Sequence, residues 1–465
     1  MNQANRTTFS ALALGIAGVL AMGQAHATGF QLRESSVKNL GRGQAGAATG
    51  DNDASVVSNN PAAMVNLDKT TVQADVTAID ISFQFEGGGT SGAGTPLTGG
   101  DGGNAGSVQA VPNLSAVFPL QGALEGLTVG AAIGAPFGLK TEYDRDWVGR
   151  YNAVESDLKL VDLTLSAAVQ LHERLSVGVG LIYERGDVTL SNAIDFGTFM
   201  AATPTGGVPQ GADGFATVSG DGTGIGWLAG VQWQPTDSLR LGFSHRSEID
   251  LDLEGDARFD APANFRGAQP LYRALATNPA LPLTPAQRQR LAVLGNGFVD
   301  SDISAPLTTP SVSTLSATYS VTDTVRVMAD AQWTDWSSLR SINIDYANPF
   351  QPNTVEDFSW NDTEMYAIGA EWDLSDRFTL RGGVTRDETP THIETRTPRL
   401  PDNDRMLYSI GFTWNISDAF SVDAAYQRIE IDTSEVDIVS SSSSHLVGEF
   451  DGYANLVGVS AQYRF

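Results

Sequence analysis

The sequence has 465 residues, of which 41% are hydrophobic and 18% are charged, and its formal net charge is −26. The acidic balance disfavours a nucleic-acid partner, because nucleic acids bind to basic surfaces. Cysteine is absent, which excludes disulfides and an anchor attached to an N-terminal cysteine. No apolar run approaches the about 20 residues that a membrane-spanning helix requires.

The first residues are predicted to be a secretory signal peptide. The apolar stretch from Ala11 to Met22 follows a short polar stretch and precedes Ala25-His26-Ala27, a small-x-small cleavage signal. We expect residues 1–27 to be removed on export, so that the exported chain begins near Thr28. The composition, rich in glycine, fits a soluble all-β protein and a membrane β-barrel equally well.

Residues 28–70 lack the alternation of a strand and are predicted to form a plug, or hatch, ahead of the first strand. That strand is expected from Val72 to Phe85. The alternative for 28–70 is a disordered tail, but a tail would not need so many apolar residues. These are Phe30, Leu32, Leu40, Val56, Val57, Met64 and Leu67.

A repeated turn motif marks the strands that follow. Each copy has an aromatic residue four positions before an aspartate, with serine or threonine directly before that aspartate. The flanking runs alternate strictly, as in the apolar Val325, Val327 and Ala329. Because the apolar face of a membrane barrel meets lipid and its aromatic residues collect at headgroup level, the motif favours a membrane barrel over a soluble sandwich. The copies are Trp233-Gln-Pro-Thr-Asp237, Tyr319-Ser-Val-Thr-Asp323, Trp372-Asp-Leu-Ser-Asp376 and Trp414-Asn-Ile-Ser-Asp418.

Short and long connections alternate along the chain, which predicts an antiparallel barrel. Six short turns and seven long loops join fourteen strands, and outer-membrane barrels have even strand numbers. Both termini then lie on the side of the short turns, which is the periplasmic side. A short helix is expected from Pro285 to Asn296, within the longest loop. The short turns are expected near 121–126, 172–174, 235–238, 321–324, 374–377 and 416–419, and the long loops near 87–108, 144–157, 191–213, 254–309, 341–357, 387–403 and 434–449.

The C-terminal residues predict assembly in the outer membrane of a Gram-negative bacterium. Val457, Val459, Ala461, Tyr463 and Phe465 alternate with small or polar residues. A last strand that ends in phenylalanine is typical of the signal that the outer-membrane assembly machinery reads. We therefore expect Phe465 to contact that machinery, outer-membrane lipid to surround the barrel, and the chain to act as a monomer.

The third strand is predicted to be interrupted. Residues 127–133 alternate regularly, but Ala135-Pro136-Phe137-Gly138 follows directly. Proline donates no amide to a sheet and is otherwise confined to edges or bulges. Because a closed barrel has no edges, the interruption predicts either an ordinary bulge near the rim or a local opening in the wall.

Seven motifs, spread in order over the chain, resemble one family. They are Thr28-Gly29-Phe30-Gln31-Leu32, Leu40-Gly41-Arg42-Gly43, Asn60-Pro61-Ala62, Ala135-Pro136-Phe137-Gly138-Leu139-Lys140-Thr141-Glu142-Tyr143, Trp147-Val148-Gly149-Arg150-Tyr151, Trp333-Thr334-Asp335-Trp336-Ser337 and Pro401-Asp402-Asn403-Asp404-Arg405. In them the chain resembles the long-chain fatty-acid transporter (FadL-type) family of outer-membrane proteins, including its aromatic-hydrocarbon (TodX-like) branches.

The resemblance implies both the architecture and the task. It implies an all-β transmembrane barrel of fourteen antiparallel strands over residues 71–465, with the lumen plugged by a hatch of residues 28–70. It also implies passive transport of long-chain fatty acids or other hydrophobic compounds. In the family the third strand is kinked inward, which opens a hole in the wall toward the membrane.

The resemblance further implies where the ligand binds and leaves. Phe30 and Leu32 would line an apolar pocket, and a shift of the hatch around Asn60-Pro61-Ala62 would open the path. The break at Ala135, Pro136, Phe137 and Gly138 would form the lateral gate. Release into the membrane avoids the cost of returning a long hydrocarbon chain to water, about 0.8 kcal/mol per methylene.

The head group of the ligand is less clearly indicated. Family members hold a carboxylate with basic residues in the lumen, but the corresponding positions fall near Leu190 and Glu356, neither of which is basic. Arg185, Arg326 and Arg381 are candidate lumen cations that could serve instead. For each of them, simple pairing with a neighbouring aspartate is the alternative role. If none of them serves, the ligand is an uncharged hydrocarbon or aromatic compound.

Three other functional classes fit the sequence less well than this transport. A hydrophilic porin would need an open lumen and would not need a hatch of this length. An adhesin would depend on its outer loops, above all on 254–309. An enzyme is not expected, because no histidine has a serine or aspartate around it in a recognisable catalytic pattern. Neither a cofactor nor a metal is expected.

Overall fold

The computed structural model describes residues 29–465, apart from 51, 202 and 441, so the predicted signal peptide lies outside the described residues. In this part of the chain, fourteen antiparallel strands form one closed barrel. The last strand closes it by pairing with the first, from Thr71 opposite Arg464 to Thr90 opposite His445. The predicted all-β barrel of fourteen strands is confirmed.

Ten of these strands are continuous, and four neighbouring ones, β7 to β10, consist of two segments each. The strands are β1 Thr71–Thr90, β2 Val108–Pro119, β3 Leu127–Glu142, β4 Glu155–His172, β5 Leu175–Asp195, β6 Asp213–Trp233, β7 Leu239–Arg246 and Ile249–Asp260, β8 Ser301–Thr309 and Val312–Ser320, β9 Val325–Thr334 and Ser341–Tyr346, β10 Thr354–Asp357 and Thr363–Ser375, β11 Phe378–Asp387, β12 Arg405–Asn415, β13 Phe420–Val439 and β14 His445–Arg464.

Helices are few in the described residues, and none of them is long and apolar enough to cross a membrane. Two short ones precede the barrel, and three lie in connections between strands. They are α1 Val37–Gly41, α2 Val56–Asn59, α3 Phe196–Ala201, α4 Ala263–Thr277 and α5 Pro285–Asn296, with 3₁₀ turns at Pro61–Asn66, Gly122–Leu124 and Trp336–Ser338.

The outer face of the barrel carries an apolar belt bounded by aromatic residues. Trp233, Trp372 and Trp414, each of which precedes a short turn, are 51%, 53% and 43% exposed. A second exposed aromatic residue lies six positions earlier on each of these strands and therefore on the same face. This double girdle is typical of the two interfaces of a membrane. Its second row includes Trp227, Tyr366 and Tyr408.

Several long connections are shorter than the sequence predicted, because the strands continue beyond the apolar belt. β13 runs to Val439 and β14 starts at His445, so the loop predicted near 434–449 is a tight hairpin. Beyond the belt the outer face of a strand no longer meets lipid, and on β13 and β14 the apolar residues there, such as Val436 and Leu446, are buried on the inner face instead, so the alternation typical of the belt no longer reveals the strand. The short turns and the predicted helix from Pro285 to Asn296 are confirmed.

The wall of the barrel is interrupted between β8 and β9, where the two strands separate over a short stretch. On the short-turn side of the separation Val312 pairs with Thr334, and on the long-loop side Ser304 pairs with Asp345. Between these pairs, residues 305–310 of β8 make no backbone hydrogen bond to β9 in the described structure. Two residues of this stretch are prolines, which have no amide to donate. Meanwhile β9 turns inward at the 3₁₀ turn Trp336–Ser338.

The N-terminal segment, residues 29–70, lies inside the barrel. Its contacts reach widely separated strands: the ammonium group of Lys38 donates to Gln462 of β14 at 2.6 Å, and the amide of Ala48 donates to Ser316 of β8 at 2.9 Å. The hydroxyl of Ser166 on β4 donates to the carbonyl oxygen of Val57 at 2.8 Å. Only a segment that crosses the lumen can contact all these strands.

Close backbone packing holds the N-terminal segment against β11. A Cβ atom at Gly383 would lie 2.0 Å from the carbonyl oxygen of Arg42. We therefore expect Gly383→Ala to displace the segment and to reduce the free energy that holds it against the barrel by about 1–3 kcal/mol, the range found for overpacked sites. Limited proteolysis of the folded barrel should show faster cleavage within residues 29–70.

The neighbouring Gly382→Ala is the matched control for this substitution. A Cβ atom at Gly382 meets only the carbonyl oxygen of Ser409, at an ordinary 3.7 Å. This variant should keep the protease resistance of the parent protein. Equal resistance of both variants would contradict the packing of the segment against β11.

Candidate ligand-binding site

Strand β3 separates from β2 at the predicted interruption. Its pairing with β2 ends at Ile133, which lies opposite Leu114. Its pairing with β4 shifts register between Gly134 and Phe137, because β3 accommodates one extra residue there. The edge of β3 that faced β2 is therefore free of β2 from Gly134 onward. Pro112 lies on β2 next to this separation, as Pro136 does on β3.

The N-terminal segment pairs with part of this free edge. The amide of Leu32 donates to the carbonyl oxygen of Pro136 at 2.7 Å, and the amide of Gly138 donates to that of Phe30 at 2.8 Å. Gln31 thus lies opposite Phe137 in a short antiparallel bridge. The structure thereby brings the N-terminal residues and the interruption of β3 into direct contact.

Phe30 lies within an aromatic cluster inside the barrel. Its ring centroid is 5.8 Å from that of Phe137, 4.8 Å from that of Trp336 and 5.7 Å from that of Trp360. Inward-facing leucines and isoleucines of β3 to β8 surround these rings, and all four aromatic side chains are buried. This set, named here the Phe30 cluster, is a buried apolar region inside the barrel.

Trp336 and Trp360 were not predicted as pocket residues, and they reach the cluster because β9 and β10 are interrupted at the same level of the barrel. Trp336 belongs to the 3₁₀ turn between the segments of β9, and Trp360 lies between the segments of β10. The sequence did contain a sign that Trp336 points inward, since it follows the exposed Trp333 by three positions. Residues three apart cannot share one face of a strand.

The other predicted pocket and hatch residues lie elsewhere. Leu32 packs in a second apolar cluster against β1, β13 and β14, and Ala135 packs at its margin. Asn60-Pro61-Ala62 packs against β5 and β6. There the amide group of Asn60 donates to the carbonyl oxygen of Val231 at 3.3 Å, and the hydroxyl of Ser176 donates to that of Ala62 at 2.9 Å.

A cavity of about 140 Å³ lies between the N-terminal segment and the interruption of β3. Residues 134–137 of β3 form one side of it. Four charged side chains contribute to the remaining wall, so the cavity joins an apolar cluster to polar surroundings. These are Arg33, Asp162, Arg246 and Asp330.

Arg326 and Arg381, two of the predicted lumen cations, face the lumen but are already paired. Glu371 accepts hydrogen bonds from Arg381 at 2.6 Å, from Arg326 at 3.1 Å and from Arg42 of the N-terminal segment at 3.1 Å. Arg326 also pairs with Asp373 at 2.7 Å. Their structural role is to connect the segment to β9, β10 and β11, well apart from the Phe30 cluster.

Arg185, the third predicted lumen cation, faces outward, so its placement in the lumen was wrong. On β5 the inward residues are even-numbered, whereas Arg185 shares the exposed face of Leu181 and Tyr183. It pairs there with Asp221 at 3.0 Å. The error has a physical cause, because beyond the apolar belt a charged residue is equally stable on the outer face.

Two other arginines, not identified from the sequence, lie close to the Phe30 cluster. The guanidinium group of Arg246 is 5.5 Å from the ring centroid of Phe137, and it pairs with Glu184 at 2.6 Å and with Asp162. Arg399, which precedes Leu400 of the cluster, is buried and lies 3.4 Å from Glu356.

Arg399 therefore lies where the sequence analysis found no cation. It pairs with Glu356, and its guanidinium group also donates to the carbonyl oxygen of Ser191, the neighbour of Leu190, at 3.3 Å. A positive charge thus reaches this position from the connection between β11 and β12. The prediction missed it because a connection of irregular structure gives no indication of where its side chains point.

Burial changes the ionisation of carboxyl groups in the N-terminal segment. It raises the pKa of Glu34 to about 6, against a partial opposing effect of Arg33. Burial also acts to raise the pKa of Asp53, but Lys38 and the hydroxyl of Ser36 hold it below its usual value. In the described residues, no cluster of histidine, aspartate or glutamate is arranged to hold a metal ion.

Comparison with known proteins assigns this barrel to a family. Residues 18–465 match the family described as outer membrane protein transport protein (OMPP1/FadL/TodX). The chain belongs to this family. A long-chain fatty acid transport protein of Shigella flexneri is 26% identical to it over 415 residues, which cover 85% of this chain and 86% of that protein. The resemblance stated from the motifs is confirmed.

Solved structures show the same architecture for this OMPP1/FadL/TodX member. A Pseudomonas aeruginosa FadL homologue superposes with a TM-score of 0.84 at 28% identity, covering 94% of this chain and 100% of the other. The Ralstonia pickettii toluene transporter TbuX shares the fold, with a TM-score of 0.63 at 18% identity over 92% and 98% of the two chains. The protein is an outer-membrane β-barrel.

The Glu371 network provides a test of how the N-terminal segment is held. Glu371 is buried and pairs with three guanidinium groups, of which Arg326 and Arg381 have a second carboxylate partner each, so Glu371→Gln removes the counter-charge of the buried Arg42. We expect this variant to lose about 3–5 kcal/mol of stability, as when one partner of a buried ion pair is removed. Denaturant unfolding in detergent measures the change.

Asp237→Asn is the control for this substitution, because Asp237 pairs with Arg174 at 3.2 Å in an exposed position. An exposed pair contributes about 0–1 kcal/mol. If the Glu371 variant were as stable as the Asp237 variant, the network would not be what anchors the segment.

Proposed function

We propose that this protein transports hydrophobic compounds, long-chain fatty acids or hydrocarbons, passively through the outer membrane. The observation that carries the proposal is the contact of Phe30 with both the aromatic cluster and the interrupted strand β3. An apolar binding region thus lies beside a separation in the wall. The similar proteins reported above, a fatty-acid transporter and a toluene transporter, agree with such a ligand.

We also propose an orientation and a mode of assembly. The six short turns and both termini face the periplasm, and the long connections face outward. Residues 1–27 act as a cleaved signal peptide, Phe465 contacts the assembly machinery, and the barrel acts as a monomer in outer-membrane lipid. Residues 28–70 act as the hatch, and the protein has no catalytic activity.

In the proposed mechanism the ligand enters from the long-loop side and its chain occupies the Phe30 cluster. It leaves between β2 and β3, beside Pro136 and Gly138. Since Phe30 and Leu32 pair with the free edge of β3, the N-terminal residues must move before the ligand can pass. The driving force is the concentration gradient, because nothing in the sequence resembles an energy-coupling module.

The head group of the ligand has two alternatives. A carboxylate would have to compete with Glu356 for Arg399 or with Asp162 and Glu184 for Arg246. An uncharged hydrocarbon would need no cation. A hydrophilic porin is the less supported function, because the N-terminal segment crosses the lumen and contacts strands on opposite sides.

Removing the bulge of β3 tests the lateral exit. Deletion of Pro136 leaves one residue of β3 for each residue of β4, so the ladder can run without a shift. We expect the deletion to reduce uptake of a radiolabelled long-chain fatty acid and of toluene at least tenfold, because the wall closes. Folding of the variant is verified by its heat-dependent mobility in detergent gels.

Deletion of Thr433 is the matched control. β13 has a register shift of the same size between Ile431 and Ser434, on a different side of the barrel. This deletion removes an equivalent bulge and should leave uptake near the parent rate. Uptake through a folded Pro136-deletion protein at the control rate would refute exit between β2 and β3.

A reversible cross-link tests whether the N-terminal residues must move. Gln31 and Phe137 lie directly opposite each other in an antiparallel bridge, a geometry that a disulfide can join. The natural chain has no cysteine, so the pair Gln31→Cys with Phe137→Cys forms one defined bond. We expect uptake to stop when the pair is oxidised.

The same protein after reduction is its own control, since it carries both substitutions without the bond. Uptake should return on reduction. Equal uptake in the oxidised and reduced states would show that the ligand passes without moving the N-terminal residues.

A further inference from the structure

In the described part of the chain, the indole N–H of Trp336 is a buried donor without an acceptor. The side chain is 0% exposed, and its Nε1 atom has no hydrogen-bond partner among the described residues. The equally buried Trp147 differs, because its Nε1 atom donates to the carbonyl oxygen of Ala153 at 2.7 Å. A buried tryptophan N–H normally has such a partner, and a donor left without one costs free energy. Trp336 therefore carries a donor that a ligand can satisfy.

Apolar groups surround this donor. Trp336 belongs to the Phe30 cluster, whose members are hydrophobic. The rings of Phe30 and Trp360 lie edge to face with the indole, at centroid distances of 4.8 and 5.1 Å. An aromatic face accepts a hydrogen bond only weakly, so these rings hold the indole in place without replacing an oxygen acceptor. The donor is thus fixed inside the region proposed to hold the hydrocarbon chain of the ligand.

The N-terminal segment covers the indole next to its N–H. A Cβ atom at Gly29 would lie 2.7 Å from Cζ2 and 3.0 Å from Cε2 of Trp336. Because Cε2 is bonded to Nε1, residue 29 lies beside the donor. In the proposed mechanism the N-terminal residues move before the ligand passes. The same movement makes room for a ligand atom beside Nε1.

The ionic groups near the cluster leave no guanidinium group available to an anionic head group. Arg246 pairs with Glu184 at 2.6 Å and with Asp162. Arg399 pairs with Glu356 at 3.4 Å. These two networks contain three carboxylates for two guanidinium groups, so a ligand carboxylate would have to displace an existing partner. An uncharged head group meets no such competition, and its burial costs far less than that of a charge.

We propose that the indole N–H of Trp336 donates a hydrogen bond to the head group of the ligand, and that this head group is an uncharged oxygen. The substrate class is then long-chain ketones, esters or alcohols. The inference rests on the proposed transport function and names the substrate class of that same site. An oxygen acceptor satisfies the donor, whereas a plain hydrocarbon leaves it unsatisfied.

The test compares three ligands of equal carbon number, which are tridecan-2-one, tridecane and tridecanoate. Trp336 is replaced with 3-benzothienylalanine, which keeps the two fused rings but has sulfur where the indole has its N–H. Affinities are measured by scintillation proximity, with radiolabelled ligands and the full outer-membrane protein in detergent. We expect the replacement to weaken the binding of tridecan-2-one about threefold to tenfold, as for the loss of one neutral hydrogen bond, and to leave tridecane binding unchanged. The parent protein should bind tridecan-2-one more tightly than tridecanoate.

Two further measurements separate the N–H from the fold. The same replacement at Trp227, which is 51% exposed in the second row of the girdle, should leave the affinity for all three ligands unchanged. In the parent protein with nitrogen-15 in its indoles, the proton signal of the Trp336 N–H should move downfield with tridecan-2-one and keep its position with tridecane. Trp336→Phe identifies that signal by its loss.

The outcomes distinguish this proposal from the proposed function. If the benzothienyl variant binds tridecan-2-one with the parent affinity, the donor role of Trp336 is refuted and transport stands. If its affinity for tridecane falls equally, the shape of the indole matters rather than its N–H, and the proposal also fails. If the parent protein binds tridecanoate more tightly than tridecan-2-one, the head group is not uncharged. If the parent protein binds none of the three ligands, the transport function itself is refuted.

Discussion

Inside a lipid bilayer a backbone amide or carbonyl has no water to bond with, so the wall must satisfy every such group itself. The closed ladder of this barrel meets that requirement over most of its circumference. Where neighbouring strands part, other means replace the ladder. Pro112 and Pro136 border the separation of β2 and β3. Pro306 and Pro310 lie within the separation of β8 and β9. At the first separation, the N-terminal segment also supplies the missing partner through the amide of Leu32.

The same requirement explains why the lumen is polar and yet filled. A barrel of fourteen strands is too wide for wall side chains alone to fill. The N-terminal segment occupies the space, but it is too short to form ladders of its own, so barrel side chains satisfy its backbone. Asp330, for example, accepts from the amides of Gly46 and Ala47 at 2.5 and 3.0 Å. The ion pairs around Glu371 complete the attachment, which leaves the Phe30 cluster as the apolar part of the interior beside the wall separation.

Strand number, short turns and the girdle could be predicted because lipid imposes one rule on the outer face. Residues such as Trp233 and Trp372 must lie outward, and alternation then assigns their neighbours. The rule does not apply beyond the belt, and for this reason the prediction placed Arg185 on the wrong face of β5. It also lapses wherever a strand is irregular. Trp336 turns inward at a break of β9 and Arg399 arrives from a connection, and in neither place does a period of two apply.

The interruption of β3 was predictable from Pro136 alone, but its consequences for the site were not. Which residues fill the free edge depends on the path of the N-terminal segment through the lumen, and that path is determined by contacts between residues far apart in sequence. Phe30 meets Trp360 across 330 positions of chain. Leu32, only two residues from Phe30, packs in another cluster.

The register shift in β3 amounts to a single additional residue, yet it reverses which side chains point inward along the rest of that strand. Ala132 faces inward before the shift, whereas Phe137 and Leu139 face inward after it. Insertion or loss of one codon at such a point would exchange the inward and outward faces of a strand from there to its end. In this architecture one mutational event can therefore change which side chains line the lumen along part of one strand, without any change to the remaining thirteen strands.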